Sequence, residues 1–127
     1  MSEEKKIKVV LLEPGKLART AEIGTSIEDL QNAVDGLIEP FYPFEEQVCI
    51  VCNDEGKING MLPNRSVKNK DGVMVDFIFG PAFICDCRGE SFDSLSDEQI
   101  ARYTKMFRYP EHLARLNGKL IGIPFNP

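Results

Sequence analysis

Two side chains near the middle of the chain carry recognition chemistry: Asn64 and Arg65, which close the segment Asn59-Gly60-Met61-Leu62-Pro63-Asn64-Arg65. An amide offers both donors and an acceptor, and a guanidinium offers a planar donor fork that matches carboxylate or phosphate. Two roles follow from those groups. In the structural role Arg65 pairs an acidic residue such as Asp76 and pins the loop, while Asn64 satisfies turn backbone. In the functional role the pair recognises a small anionic ligand. A concave patch is then completed by the aromatic rings of Tyr42 and Phe83 and by the second cation, Arg88.

The four cysteines are the next candidates. Cys49-x-x-Cys52 followed by Cys85-x-Cys87 has enough thiols for a closed tetrahedral zinc site. Strand geometry argues otherwise, because residues three apart on a strand point to opposite faces. Ile50 and Val51 between the first two are β-branched and favour extension. A redox reading of Cys49-x-x-Cys52 also fails, since such a pair normally sits at a helix start that lowers the thiol pKa. Buried, small and apolar is the default for all four.

Enzyme chemistry finds little support. The one histidine, His112, follows Pro110 in a basic, amphipathic tail with no serine, cysteine or carboxylate partner in view. No glycine loop cradles phosphate, and no carboxylate pair has metal-ligand spacing. Asp86 beside Arg88, and Asp76 in a hydrophobic run, read as aspartates at solvent-facing strand positions. The chain is expected to be no enzyme and to need no cofactor and no metal.

The elements that must position these residues follow from periodicity. Lys6 to Leu12 alternates with apolar residues on both sides, so it belongs inside a sheet. Glu13-Pro14-Gly15-Lys16 turns the chain into a returning strand over Leu17 to Ile23. Thr25 caps a helix, with Glu28 at the capping-box position and Ile27, Leu30, Ala33, Val34 and Leu37 as its buried stripe; Gly36 ends it. Leu37 to Phe44 holds two prolines and reads as an edge strand or extended loop that lays Phe41, Tyr42 and Phe44 on the core. Gln47 to Asn53 and Val75 to Cys85 are strand runs. Ser96 and Gln99 open a second helix that Pro110 stops. The tail predicts a short helix followed by a strand-like arm.

This order predicts an α+β fold: one domain, a mixed or mostly antiparallel sheet, two main helices, and a grasp-like wrapping of the sheet over the first helix. The expected division is an α+β domain over residues 1–112 and an apolar C-terminal arm over 113–127. A chain of 127 residues can build its own core, and 43% hydrophobic with 28% charged residues places it among globular proteins. No apolar run approaches a membrane span, and the acidic start is unlike a secretion signal, so a cytoplasmic location is expected. A net charge of −5, from 20 acidic and 15 basic residues, removes the broad basic footprint of a nucleic-acid binder.

Several spaced motifs together resemble one family. They are Lys8-Val9-Val10-Leu11-Leu12-Glu13-Pro14-Gly15, the helix around Leu30 to Val34, Cys52 to Lys57, Gly60 to Arg65, Gly80-Pro81-Ala82-Phe83, and Phe92 to Gln99 with Tyr109-Pro110-Glu111. Over roughly residues 6–111 the chain is similar to the domain of unknown function numbered 3846. Gly80-Pro81 departs from the family's usual glycine-alanine-glycine-like turn, and the tail beyond Glu111 is an addition. The resemblance implies an accessory protein of phages and mobile elements and supplies no mechanism. The expected function is therefore non-enzymatic binding of a small anionic ligand such as a nucleotide signal, in counter-defence or in control of the element. The alternative is a protein–protein module that binds or inhibits a host factor through its acidic surface or C-terminal arm. The apolar arm also suggests a homodimer.

Overall fold

In a computed structural model, which describes residues 5–127, the described residues form nine strands and two helices. They run β1 (Lys6–Leu12), β2 (Arg19–Gly24), α1 (Ile27–Val34), β3 (Ile38–Phe41), β4 (Val48–Asn53), β5 (Pro63–Lys68), β6 (Met74–Phe79), β7 (Ala82–Asp86), α2 (Asp97–Met106), β8 (Glu111–Leu116) and β9 (Lys119–Pro124). The fold is a single-domain α+β fold, as the sequence predicts.

Five strands form the main sheet in the order β2-β1-β7-β4-β3, and every pairing in it is antiparallel. The alternation in β1 explains its position. Val10 and Leu12 join one core, with Ile50, Ile84, Val67, Ile78, Tyr103 and Phe107. Ile7, Val9 and Leu11 join the other, with Val51, Phe83, Leu30 and Val34 of α1. A strand apolar on both faces needs a layer on each side. Helix α1 supplies one layer; α2 and the β5–β6 hairpin supply the other. The sheet thus has α1 on one face, and its opposite face is covered as well.

Several local expectations are corrected. Helix α1 is capped by Ser26 rather than Thr25: the Ser26 hydroxyl accepts from the Asp29 amide at 3.1 Å, and the Thr25 hydroxyl donates to the Lys5 carbonyl instead. Its left-handed terminus is Asp35, one residue before Gly36, so Leu37 lies beyond the helix and, like Ile27, is exposed. The apolar run Val75 to Cys85 is two strands, not one. Gly80, at φ +81°, breaks it, and β6 then pairs with β5 while β7 enters the main sheet. The tail is a β-hairpin rather than a helix and an arm. Asn117 and Gly118 both have positive φ, as a two-residue turn of primed type requires. The expected boundary after residue 112 therefore falls inside β8. Among the described residues, no helix is long and apolar enough to cross a membrane.

Candidate functional site

The structure settles what Asn64 and Arg65 do. The β5–β6 ladder shifts register between Pro63 and Arg65, and a bulge there lets two consecutive side chains turn inward. Both are 0% exposed. The Asn64 amide donates to the carbonyls of Leu12 and Gly80 at 2.9 and 2.8 Å. Arg65 Nε donates to the Phe107 carbonyl at 2.6 Å. Its Nη1 donates to the Glu13 carbonyl at 3.1 Å and to Asn64 Oδ1 at 2.6 Å. Its Nη2 donates to the carbonyls of Lys16 and Arg108 at 2.6 and 3.3 Å. A guanidinium has five donors, and five bonds use them all. Burial lowers its pKa to about 10, which leaves it charged at neutral pH.

The expected anion site built on this fork is therefore not present. Phe83 is buried on the α1 side, edge-on to Phe92, across the sheet from the core that holds Phe107. Arg88 pairs at 2.7 Å with Asp86, which is buried rather than solvent-facing. Tyr42 is exposed on the segment after β3, while its neighbours Phe41 and Phe44 pack on the core. The five residues do not converge on one patch. The structural alternative holds in kind, with a changed partner. Asp76 pairs Lys57 at 2.7 Å, and Arg65 takes backbone carbonyls instead.

Beside Arg65 lies a cleft that sequence reasoning missed. It encloses about 630 Å³ between α2, the segment before β4, the β5–β6 turn and the start of β8. Phe44, Tyr103, Met106 and Phe107 form its apolar side, and Phe44 packs on Tyr103 with ring centres 4.7 Å apart. Arg65 grips the Phe107 carbonyl from behind this wall, and Ser66, the next residue, faces the cleft.

The charged groups around the cleft differ in how firmly they are held. Glu46 accepts from the Tyr103 hydroxyl, from Arg102 Nη1 at 2.9 Å and from the Gln99 amide at 3.3 Å. The Tyr103 bond is the chief reason its carboxyl titrates below the usual range, and burial, then Glu46, pushes the phenol up. Glu111 Oε1 accepts from the Ser66 amide at 3.1 Å and from its hydroxyl at 2.6 Å. The two lysines are looser, as is Glu45, whereas Arg102 is held by Glu46. Lys70 meets only Glu45, at 3.7 Å with both side chains exposed, and exposed Lys68 has no carboxylate within 4.0 Å among the described residues. A second hollow of about 270 Å³ is walled by Glu39, Asp54, Glu55 and Asp76 with Lys57, a poor setting for an anion. The signal for the first cleft was present as Lys68-Asn69-Lys70 in a polar loop, but its meaning depends on α2 lying opposite.

No curated protein and no solved structure matches the chain. Residues 7–108 match the family described as Domain of unknown function (DUF3846), so the matched span holds the main sheet, both helices and all but Glu111 of the cleft, and stops short of the β8–β9 hairpin. With most of its length inside that match, the chain belongs to the DUF3846 family.

Proposed function

We propose that this chain is a non-enzymatic binding protein, an accessory of a phage or mobile element acting in the cytoplasm in counter-defence or in control of that element. Its cleft takes a small anionic ligand with an apolar or aromatic part, such as a nucleotide. One observation carries this reading: around the cleft the carboxylates Glu46 and Glu111 are tied down by hydrogen bonds and Glu45 is exposed to solvent, while the two ammonium groups of Lys68 and Lys70 are loose. A locked acid cannot swing away to make room for a cation. A loose lysine can swing toward an anion, and the wall at Phe44 and Met106 receives the rest of the molecule.

A thermal-shift panel of nucleotides tests this. At least one should raise the melting temperature of the wild type, and the double variant Lys68→Ala, Lys70→Ala should lose that shift. A panel without any shift, or a shift the double variant keeps, removes the proposal.

The hairpin favours a second reading, a protein–protein module. Register places Leu116, Ala114 and Ile123 on one face of the hairpin together with Ile121. Leu116 and Ile123 are 59% and 45% exposed. Such a face suits a host protein or a second copy of the chain. Leu116→Ser with Ile123→Ser should abolish retention of a partner, or convert a dimer to a monomer on sizing. A wild type that is monomeric and retains nothing ends this reading.

A further inference from the structure

Three of the four thiols lie together on the α1 side of the main sheet. Cys49 of β4 stands directly opposite Cys85 of β7, and their sulfurs are 3.7 Å apart. Cys87 lies two residues past Cys85 and therefore on the same face. The ladder still runs there, since the Cys87 amide donates to the Gln47 carbonyl at 3.0 Å. Cys49 and Cys85 are fully buried, whereas Cys87 is only half-buried at the mouth of the exposed turn that follows. Cys52 belongs to the other face, where it contacts the opposite core and donates to the Glu39 carbonyl at 3.4 Å. The sulfurs thus form a path from solvent to the middle of the sheet.

We infer that Cys49, Cys85 and Cys87 form a thiol relay, a modification site that takes oxidising equivalents from a low-molecular-weight disulfide at Cys87 and stores them as a Cys49–Cys85 bond. Each step is an ordinary exchange. The Cys87 thiolate attacks one sulfur of the small disulfide, forms a mixed disulfide and releases one thiolate, which takes up the proton Cys87 gave up. Cys49 attacks the Cys87 sulfur and expels the second small thiol. Cys85 then attacks the Cys49 sulfur and returns Cys87 as a thiol. Two protein thiols lose two electrons, and one small disulfide gains them as two small thiols. The final contact must shorten from 3.7 Å to about 2.0 Å. Hydrogen bonding from Cys85 lowers the pKa of Cys49 against the opposing effect of its burial and so favours it as the attacking sulfur of the middle step. Burial raises that of Cys87 to about 11, and the hydrogen bond to Cys49 raises that of Cys85, so the first and last steps run through a small thiolate fraction.

The test incubates the folded protein with glutathione disulfide, alkylates free thiols under denaturing conditions, and maps peptides by mass spectrometry. Loss of two hydrogens with a crosslink between the Cys49 and Cys85 peptides is expected in the wild type and in Cys52→Ser. Cys87→Ser should slow the reaction by roughly tenfold or more, because the other two thiols are out of reach. Three results would overturn the relay: all thiols recovered reduced, glutathione retained on Cys87 with Cys49 and Cys85 alkylated, or Cys87→Ser oxidising at the wild-type rate. The wild-type map needs no substitution, so a variant that fails to fold does not remove the test.

Discussion

A buried guanidinium must find an acceptor for each of its donors or lose their hydration without return. Arg65 meets that demand with four backbone carbonyls and the Asn64 oxygen, and no carboxylate lies among its partners. The residue types at 64 and 65 were legible as a recognition pair. What they recognise is their own backbone, which no local spacing discloses, because the partners come from residues about fifty positions earlier and forty later. Glu46 gives a prediction at this scale. Its folded pKa lies below the ordinary carboxylate value, so the stability it adds is present above that value and is lost as pH falls through the folded one. Glu46→Gln should melt lower than the wild type at neutral pH, and the gap should narrow in acid. Thermal melts across pH 3 to 7, roughly bracketing the range where a carboxylate titrates, check this; a gap that stays constant excludes the ionised carboxylate and its hydrogen bonds as its cause.

The elements with strong internal periodicity were read correctly. Strand β1 shows its two buried faces in sequence, and Ser96 with Gln99 forms the capping box that opens α2. Ser96→Ala should cost about 1 kcal/mol in a chemical denaturation curve. The failures came where a tertiary context chooses between alternatives. Residues 75–85 look like one run until Gly80 divides it between two sheets, and Pro63–Lys68 looks like a loop until its pairing with β6 makes it β5. The tail was misread because Leu113, Leu116 and Leu120 mimic helical spacing, while Asn117-Gly118 encodes the hairpin. Gly80→Ala tests the division directly. A side chain is strained at φ +81°, and its Cβ would come within 2.6 Å of the Met61 sulfur. A loss of about 1–3 kcal/mol is expected; an unchanged denaturation midpoint would show that the break tolerates any residue.

At the scale of the whole molecule, Arg65 joins parts that do not otherwise share a ladder. It holds the turn between β1 and β2 through Glu13 and Lys16, and the end of α2 through Phe107 and Arg108. Arg108 also accepts from the Ala18 amide at 3.0 Å, so the turn and the helix end are fixed to each other around the guanidinium. The wall of the cleft is the outer side of that joint. Charge and composition were enough to indicate a self-sufficient acidic globule, but the cleft arises only when α2 is drawn against the β5–β6 hairpin. The decisive measurement is the urea-unfolding free energy of Arg65→Met beside the wild type. The account predicts a loss of about 3–5 kcal/mol, since several interior acceptors are left without donors. A variant within about 1 kcal/mol of the wild type would contradict it, because a change that small is what a surface arginine costs.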